Sequence, residues 1–164
     1  MNIEDYKKIV KEKHKGQKRK QGTKYYTHPF RVSELLKLKG FDERYQICGL
    51  FHDLLEDTDT TYEELVNISN KEIADATKLV TKEKGYNMED YISRIKNNDI
   101  AHMVKLADRI HNLDEAIYAD IAFQNKYIKE TEDYYVSLAK DTVFEKDLTD
   151  VLERLKGYKN EREK

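Results

Sequence analysis

A chain of 164 residues with six glycines, one proline and one cysteine is one domain's length of sequence, enough to bury a core without disulfide staples. Charged residues make up 38% of it yet cancel to a net charge of -2, which argues against duplex nucleic acid as the principal partner. No apolar run approaches a membrane span, and the opening Met1-Asn2-Ile3-Glu4-Asp5-Tyr6 lacks the basic-then-apolar pattern of a signal peptide, so a soluble, cytoplasmic protein is expected. Cys48, set among Ile47, Gly49 and Leu50, reads as a buried packing thiol in a reducing compartment.

Apolar patterns of period 3.6 without sustained alternation predict an all-α bundle of about eight helices over residues 1–160, with residues 161–164 a frayed tail. The first helix runs from about Ile3 to Lys15, turning Tyr6, Ile9 and Val10 inward, and Gly16 stops it. A basic, glycine-punctuated segment follows, carrying Lys13, Lys15, Lys18, Arg19, Lys20 and Lys24; it is either suited to hold phosphates or a solvated loop. Thr27 or His28 then caps a helix with Pro29 in its first turn and Val32, Leu35, Leu36 and Leu38 inward. That fixes His28 at a helix entrance, as cap, packing residue or ligand.

After Gly40 a helix is expected from near Asp42 to Asp57. At roughly 100° per residue, His52, Asp53, Glu56 and Asp57 fall in one arc, opposite Ile47, Leu50, Phe51, Leu54 and Leu55. One imidazole and three carboxylates on a face repel one another and are costly to desolvate, and a divalent cation would meet that need; the bland alternative is an acidic, solvated helix end. Thr58 to Thr61 breaks the chain, Asn70 to Thr81 and Met88 to Lys96 are helices around a Lys82-Glu83-Lys84-Gly85 loop, and Asn97-Asn98-Asp99 caps the next. On that helix Ala101, Lys105, Asp108 and Asn112 share a strip opposite Met103, Leu106, Ile110 and Leu113. The strip is either the wall of a site or an ordinary Lys105–Asp108 surface pair at i,i+3, and His102 and His111 are read as lying off it, outside any metal site. Tyr127 to Ala139 and Lys146 to Tyr158 close the bundle.

Taken together, His28, His52, Asp53 and Asp108 offer two imidazoles and two carboxylates from three helices. Mixed nitrogen and oxygen donors without thiolate favour Mn2+ or a similar ion over structural zinc, and four protein ligands leave positions for water and a phosphate oxygen. The runs His14 to Pro29 (His-x-Gly-Gln-x-Arg-Lys-x-Gly-x-x-Tyr-x-x-His-Pro), His52 to Thr58 (His-Asp-x-x-Glu-Asp-Thr) and Lys105 to Asn112 (Lys-Leu-Ala-Asp-Arg-Ile-His-Asn) resemble the HD-domain hydrolases of the RelA/SpoT type, which remove the 3′-diphosphate from (p)ppGpp. The resemblance implies an all-α HD fold, one Mn2+ on those four ligands, and Glu56 and Asp57 serving the attacking water. It also implies that Arg19 and Lys20 line a nucleotide pocket and that Asn112 contacts the nucleotide beside the metal; in the mechanism expected from these residues, Lys105 and the Arg19-Lys20 pair offset charge on the diphosphate. A nucleotide polyphosphate is then the expected partner, and the product GDP or GTP with pyrophosphate.

The chain departs from that pattern after Asn112, where Leu113 is followed by Asp114 and Glu115 in place of the usual cation. Two acids beside a polyanion are expected to weaken guanine selection, and Asp114→Arg to tighten the substrate. The synthetase domain of the long relatives has no room here, so a stand-alone hydrolase is expected. The rivals are an HD phosphohydrolase acting on another nucleotide, such as a nucleoside monophosphate or phosphorylated dinucleotide, and a nucleotide-binding module without turnover.

Overall fold

Side-chain caps set most of the helix starts. In a computed structural model that describes residues 1–163, a capping box between Asn2 and Asp5 opens α1 (Ile3–Lys13). Asp42, Thr61, Asn70, Asn87 and Asn98 cap α3 (Glu43–Phe51), α5 (Tyr62–Ile68), α6 (Lys71–Val80), α7 (Met88–Lys96) and α8 (Asp99–Glu115), each accepting from a backbone N–H of the first turn. α2 (Thr27–Leu38) has no side-chain cap; the Thr27 hydroxyl instead donates to Lys24 O. With the single turns α4 (Leu54–Asp57) and α10 (Val136–Ala139), α9 (Ile121–Glu130) and α11 (Glu145–Glu163), there are eleven α-helical segments among the described residues, nine of them seven residues or longer. An isolated bridge between Lys18 and Lys24 is the one β-type pairing among these residues, and no described helix is long and apolar enough to cross a membrane.

α8 is the axis of the molecule. Ten of its seventeen residues are buried, and it packs against α2, α3, α6, α7 and α11. α2 and α3 pack on each other at Gly49, where a Cβ would come within 3.0 Å of Leu36 Cδ1 and 3.3 Å of Ser33 Cα. Cys48 is buried beside this contact, its Sγ 3.6 Å from Thr77 Oγ1, and burial pushes its thiol pKa up to about 12.

Two expectations are corrected. The helix expected from Asp42 to Asp57 breaks at His52 and Asp53: His52 Nδ1–H donates to Gly49 O at 2.7 Å, taking the carbonyl that a continuing helix would offer to the Asp53 N–H. The helix expected from Tyr127 begins at Ile121, capped by Asp120, and widens into a π turn over Thr131–Tyr135. That turn sets the Tyr127 and Tyr135 rings 4.1 and 4.0 Å from the guanidinium of Arg109, which is 1% exposed and donates to Glu130 Oε1 at 2.6 Å. The α11 backbone is helical through Glu163, and the tail expected over residues 161–164 ends on Lys164, which lies outside the described residues.

Candidate metal centre

The break after α3 is what turns His52 into the bundle. Because a carbonyl only accepts, the bond to Gly49 O fixes a proton on Nδ1 and turns Nε2 to the carboxylates of Asp53 and Asp108; burial works to lower the His52 pKa, but those two charges raise it, so in the metal-free chain Nε2 is also protonated and a cation would displace that proton. That Nε2 lies 3.1 Å from His28 Nε2, 3.1 Å from Asp108 Oδ1 and 3.1 Å from Asp53 Oδ2; His28 Nε2 lies 2.8 Å from Asp108 Oδ1 and 3.7 Å from Asp53 Oδ2. Donors on one cation with bonds of about 2.1 Å are about 3.0–3.4 Å apart; the three 3.1 Å spacings match the edges of such a shell, and 2.8 and 3.7 Å lie just to either side. The four expected ligands are therefore brought together, by α2, the α3–α4 junction and α8, and the donor set suits a divalent ion.

Each candidate ligand has a further hydrogen-bond partner. Lys105 Nζ donates to Asp108 Oδ2 at 2.9 Å and Asn112 Nδ2 to Asp108 Oδ1 at 3.0 Å. The Lys105–Asp108 pair is thus buried rather than on the surface; burial works to raise the Asp108 pKa, but the charges of Lys105 and His52 hold it well below the usual carboxylate range. Tyr25 OH donates to Asp53 Oδ2 at 2.7 Å, and burial and the Asp53 charge keep that phenol protonated. His28 Nδ1 is 2.7 Å from His111 Nδ1, so His111, which the sequence placed outside the site, touches a ligand; burial and the neighbouring His28 lower its pKa to about 3. His102 is elsewhere, its Nε2 bonded to Leu138 O at 2.7 Å.

A cavity of about 230 Å³ opens in front of the ligands, with Glu56 and Asp57 at its rim. Asp57 Oδ2 is 3.4 Å from Tyr25 OH, and Glu56 Oε1 accepts from Lys82 N at 2.8 Å. Lost hydration first, then the charges of Asp53 and Glu56, raise the Asp57 pKa to about 6. The Lys82 side chain lines the same cavity, and burial and the Lys105 charge lower its pKa. Its place in an unremarkable charged loop concealed it in the sequence.

A second cavity, about 210 Å³, adjoins the first through Tyr25, Asn112 and Tyr127. Arg19 and Lys20 line it, on a loop closed by Arg19 N to Thr23 O at 2.8 Å and by a turn at Gly22 with φ 92°. Arg19 donates to Glu115 Oε1 from Nε at 3.0 Å and to Asn112 Oδ1 from Nη2 at 3.0 Å; Lys20 Nζ lies 3.3 Å from the Phe123 ring centroid. The expectation for Asp114 is corrected: it faces away, pairs with Arg154 at 3.0 Å and lines a groove between α2 and α11, because consecutive helical residues point about 100° apart. Glu115 alone reaches the cavity.

Comparison with known proteins fits this geometry. Residues 8–142 match the HD domain family. A guanosine-3′,5′-bis(diphosphate) 3′-pyrophosphohydrolase of Aquifex aeolicus is 35% identical over 139 residues, which cover 80% of this chain and 20% of that protein. A GTP pyrophosphokinase of Myxococcus xanthus is 33% identical over 140 residues, 77% of this chain and 18% of that protein. The chain thus spans about a fifth of the length of these curated relatives. Among solved structures, a metazoan ortholog of SpoT described as hydrolysing ppGpp superposes with a TM-score of 0.80 at 21% identity over 93% of this chain and 94% of that one. The Listeria monocytogenes protein lmo0812 does so with a TM-score of 0.64 at 22% identity over 80% and 96%. At those identities the structural matches establish the fold.

Proposed function

The chain belongs to the HD-domain family, and on that basis we propose that it is a metal-dependent phosphohydrolase that removes the 3′-diphosphate from (p)ppGpp, giving GDP or GTP and pyrophosphate. The observation that carries the reading is the meeting of His28 Nε2, His52 Nε2 and Asp108 Oδ1 within 3.1 Å of one another, with Asp53 Oδ2 3.1 Å from His52 Nε2 and 3.7 Å from His28 Nε2, beside a cavity lined by Arg19 and Lys20. The relatives are named for breaking or for making the diphosphate ester, and a metal centre with a carboxylate pair at its rim is machinery for hydrolysis.

His28, His52, Asp53 and Asp108 would hold one divalent ion, Mn2+ by the hardness of a donor set without thiolate. When bound, that ion supplies a Lewis acid for a phosphate oxygen and acidifies water. Asp57, whose half-buried carboxyl is pushed up by lost hydration and by the neighbouring acids, accepts the proton of the attacking water, and Glu56 orients that water. The water oxygen bonds to the phosphorus carried on O3′, the P–O3′ bond breaks, and the proton returns to the departing 3′-oxygen. Lys82 and Lys105 place positive charge beside the diphosphate, while Arg19, Lys20 and Asn112 hold the rest of the nucleotide. The site of action is the cytoplasm, which suits a buried, unpaired Cys48.

A second reading, an HD phosphohydrolase for another nucleotide, draws on the Arg19–Glu115 pair, which already neutralises the cation expected to grip the substrate. Product analysis on ppGpp with Mn2+ separates the two. GDP and pyrophosphate are expected; intact ppGpp with ready phosphate release from a nucleoside monophosphate would replace the first reading by the second.

A further inference from the structure

On α8, Asp108, His111, Asn112 and Glu115 stand at i, i+3, i+4 and i+7, a polar stripe turned to α2 and the basic loop. Two chains of contacts leave the metal ligands along this stripe. Asp108 Oδ1 accepts from Asn112 Nδ2 at 3.0 Å, and Asn112 Oδ1 accepts from Arg19 Nη2 at 3.0 Å. His28 Nδ1 meets His111 Nδ1 at 2.7 Å, and His111 Nε2 faces Glu115 Oε1 at 3.5 Å.

The second chain has a fixed polarity. A cation on His28 needs the Nε2 lone pair, so Nδ1–H of His28 is the donor, His111 Nδ1 the acceptor, and the remaining His111 proton sits on Nε2, aimed at Glu115. At 3.5 Å that last contact is too long for a hydrogen bond. The same Oε1 is taken by Arg19, from Nη2 at 2.8 Å and Nε at 3.0 Å, while Gln21 Nε2 occupies Oε2 at 2.5 Å. Arg19 and His111 therefore contend for one oxygen, and Arg19 has it.

We infer that Glu115 is a link between the two cavities: an anionic group that draws Arg19 away frees Oε1 to close on His111, which then accepts more strongly from His28 and tightens the hold on the cation. Phosphate-bearing ligand and cation thereby bind cooperatively, with His111 and Glu115 as positioning residues that do not ligate the cation. A small rotation suffices, since His111 and Glu115 are one turn apart on the same helix. The inference rests on the metal centre proposed above and adds to it a route by which the substrate cavity reports to the metal.

The test titrates the metal-free full chain with Mn2+ alone by calorimetry, without nucleotide. His111→Leu should weaken Mn2+ binding about 10–100-fold, the usual cost of losing the partner behind a ligating histidine, and His111→Gln, whose carbonyl accepts from His28 Nδ1–H, should restore it to within about threefold. Arg19→Ala releases Glu115 and should tighten Mn2+ by about threefold or more in the otherwise unaltered chain, yet by less than about twofold in a Glu115→Ala background. Equal tightening in both backgrounds would mean that only the lost positive charge matters and would overturn the link, as would unchanged affinity in a folded His111→Leu. If His111→Leu does not fold, the loop and helix-end pair Arg19 and Glu115 decides alone. Mn2+ binding by the unaltered chain with no linkage would remove this inference and leave the hydrolase reading standing, whereas no Mn2+ binding at all would remove both.

Discussion

Lys105 Nζ lies 2.9 Å from Asp108 Oδ2, and both side chains are buried. The pair uses the carboxylate oxygen that faces away from the imidazoles, so Lys105 steadies the ligand without competing for its metal-facing atom. Lys105→Met leaves Asp108 without its cation and should lower the stability of the metal-free protein by about 3–5 kcal/mol in urea unfolding. Saturating Mn2+ should recover much of the loss, because it restores positive charge beside the same carboxylate. A variant as stable as the parent without metal would show that the pair contributes nothing net.

Removal of a ligand should remove the metal. His28→Ala, His52→Ala, Asp53→Ala and Asp108→Ala are each expected to lose bound Mn2+ and activity together, as read by metal content and ppGpp turnover. His102→Ala should keep both, since that ring is occupied with Leu138 O. Full occupancy in any two of the four would overturn the ligand set.

Asp57 carries a pH signature with a definite sign. Its pKa in the folded chain, about 6, is above the ordinary aspartate value near 4, so its contribution to stability is complete below about pH 4 and is lost as pH rises through about 6. In the metal-free protein Asp57→Asn should therefore raise Tm at pH 8 and leave it unchanged at pH 4; the reverse order would refute the environment described for this carboxyl. With Mn2+ present, Asp57→Asn and Glu56→Gln should keep the metal and lower turnover by about a hundredfold or more. Near-normal rates in both would reduce the pair to a solvated helix end.

Gly49 joins packing to chemistry. Its hydrogen faces Ser33 and Leu36 across the α2–α3 contact, and its carbonyl sets the His52 tautomer. Gly49→Ala should cost about 1–3 kcal/mol through overpacking and also weaken Mn2+ binding, because separating α2 from α3 moves His28 from His52. Lost stability with unchanged metal affinity would show that the ligands tolerate the shift.

The parts of this architecture that rest on periodicity and capping were readable from the chain. Asp42, Thr61, Asn70 and Asn98 stand where side-chain caps start helices, and His28, His52 and Asp108 lie close together with Asp53 beside the two histidines. His111 was misplaced by too narrow an arc: three residues on from Asp108 is roughly 300°, only about 60° from it, well inside a helix face. Asp114 was misplaced by the opposite error, since treating adjacent acids as one feature ignores that the helix turns them apart. The break at His52 goes with a side chain taking the backbone carbonyl three residues back, a local event that apolar periodicity does not register, and the π turn at Thr131–Tyr135 accompanies the Arg109 guanidinium between two rings, a tertiary contact that local pattern does not encode.

The order of the ligands along the chain has a consequence for biosynthesis. His28, His52 and Asp53 belong to the α2–α3 hairpin, whereas Asp108 follows Asp53 by 55 residues, 108 minus 53. At translation rates of roughly 5–20 residues per second, a nascent chain holds three ligands for about 3–11 s before the fourth is made. An ion met in that interval encounters two imidazoles and one carboxylate, a softer set than the finished one. The second carboxylate, with Lys105 behind it, is present only once α8 has been made, so a cation held by all four residues would meet its full donor set only after that helix packs on the hairpin.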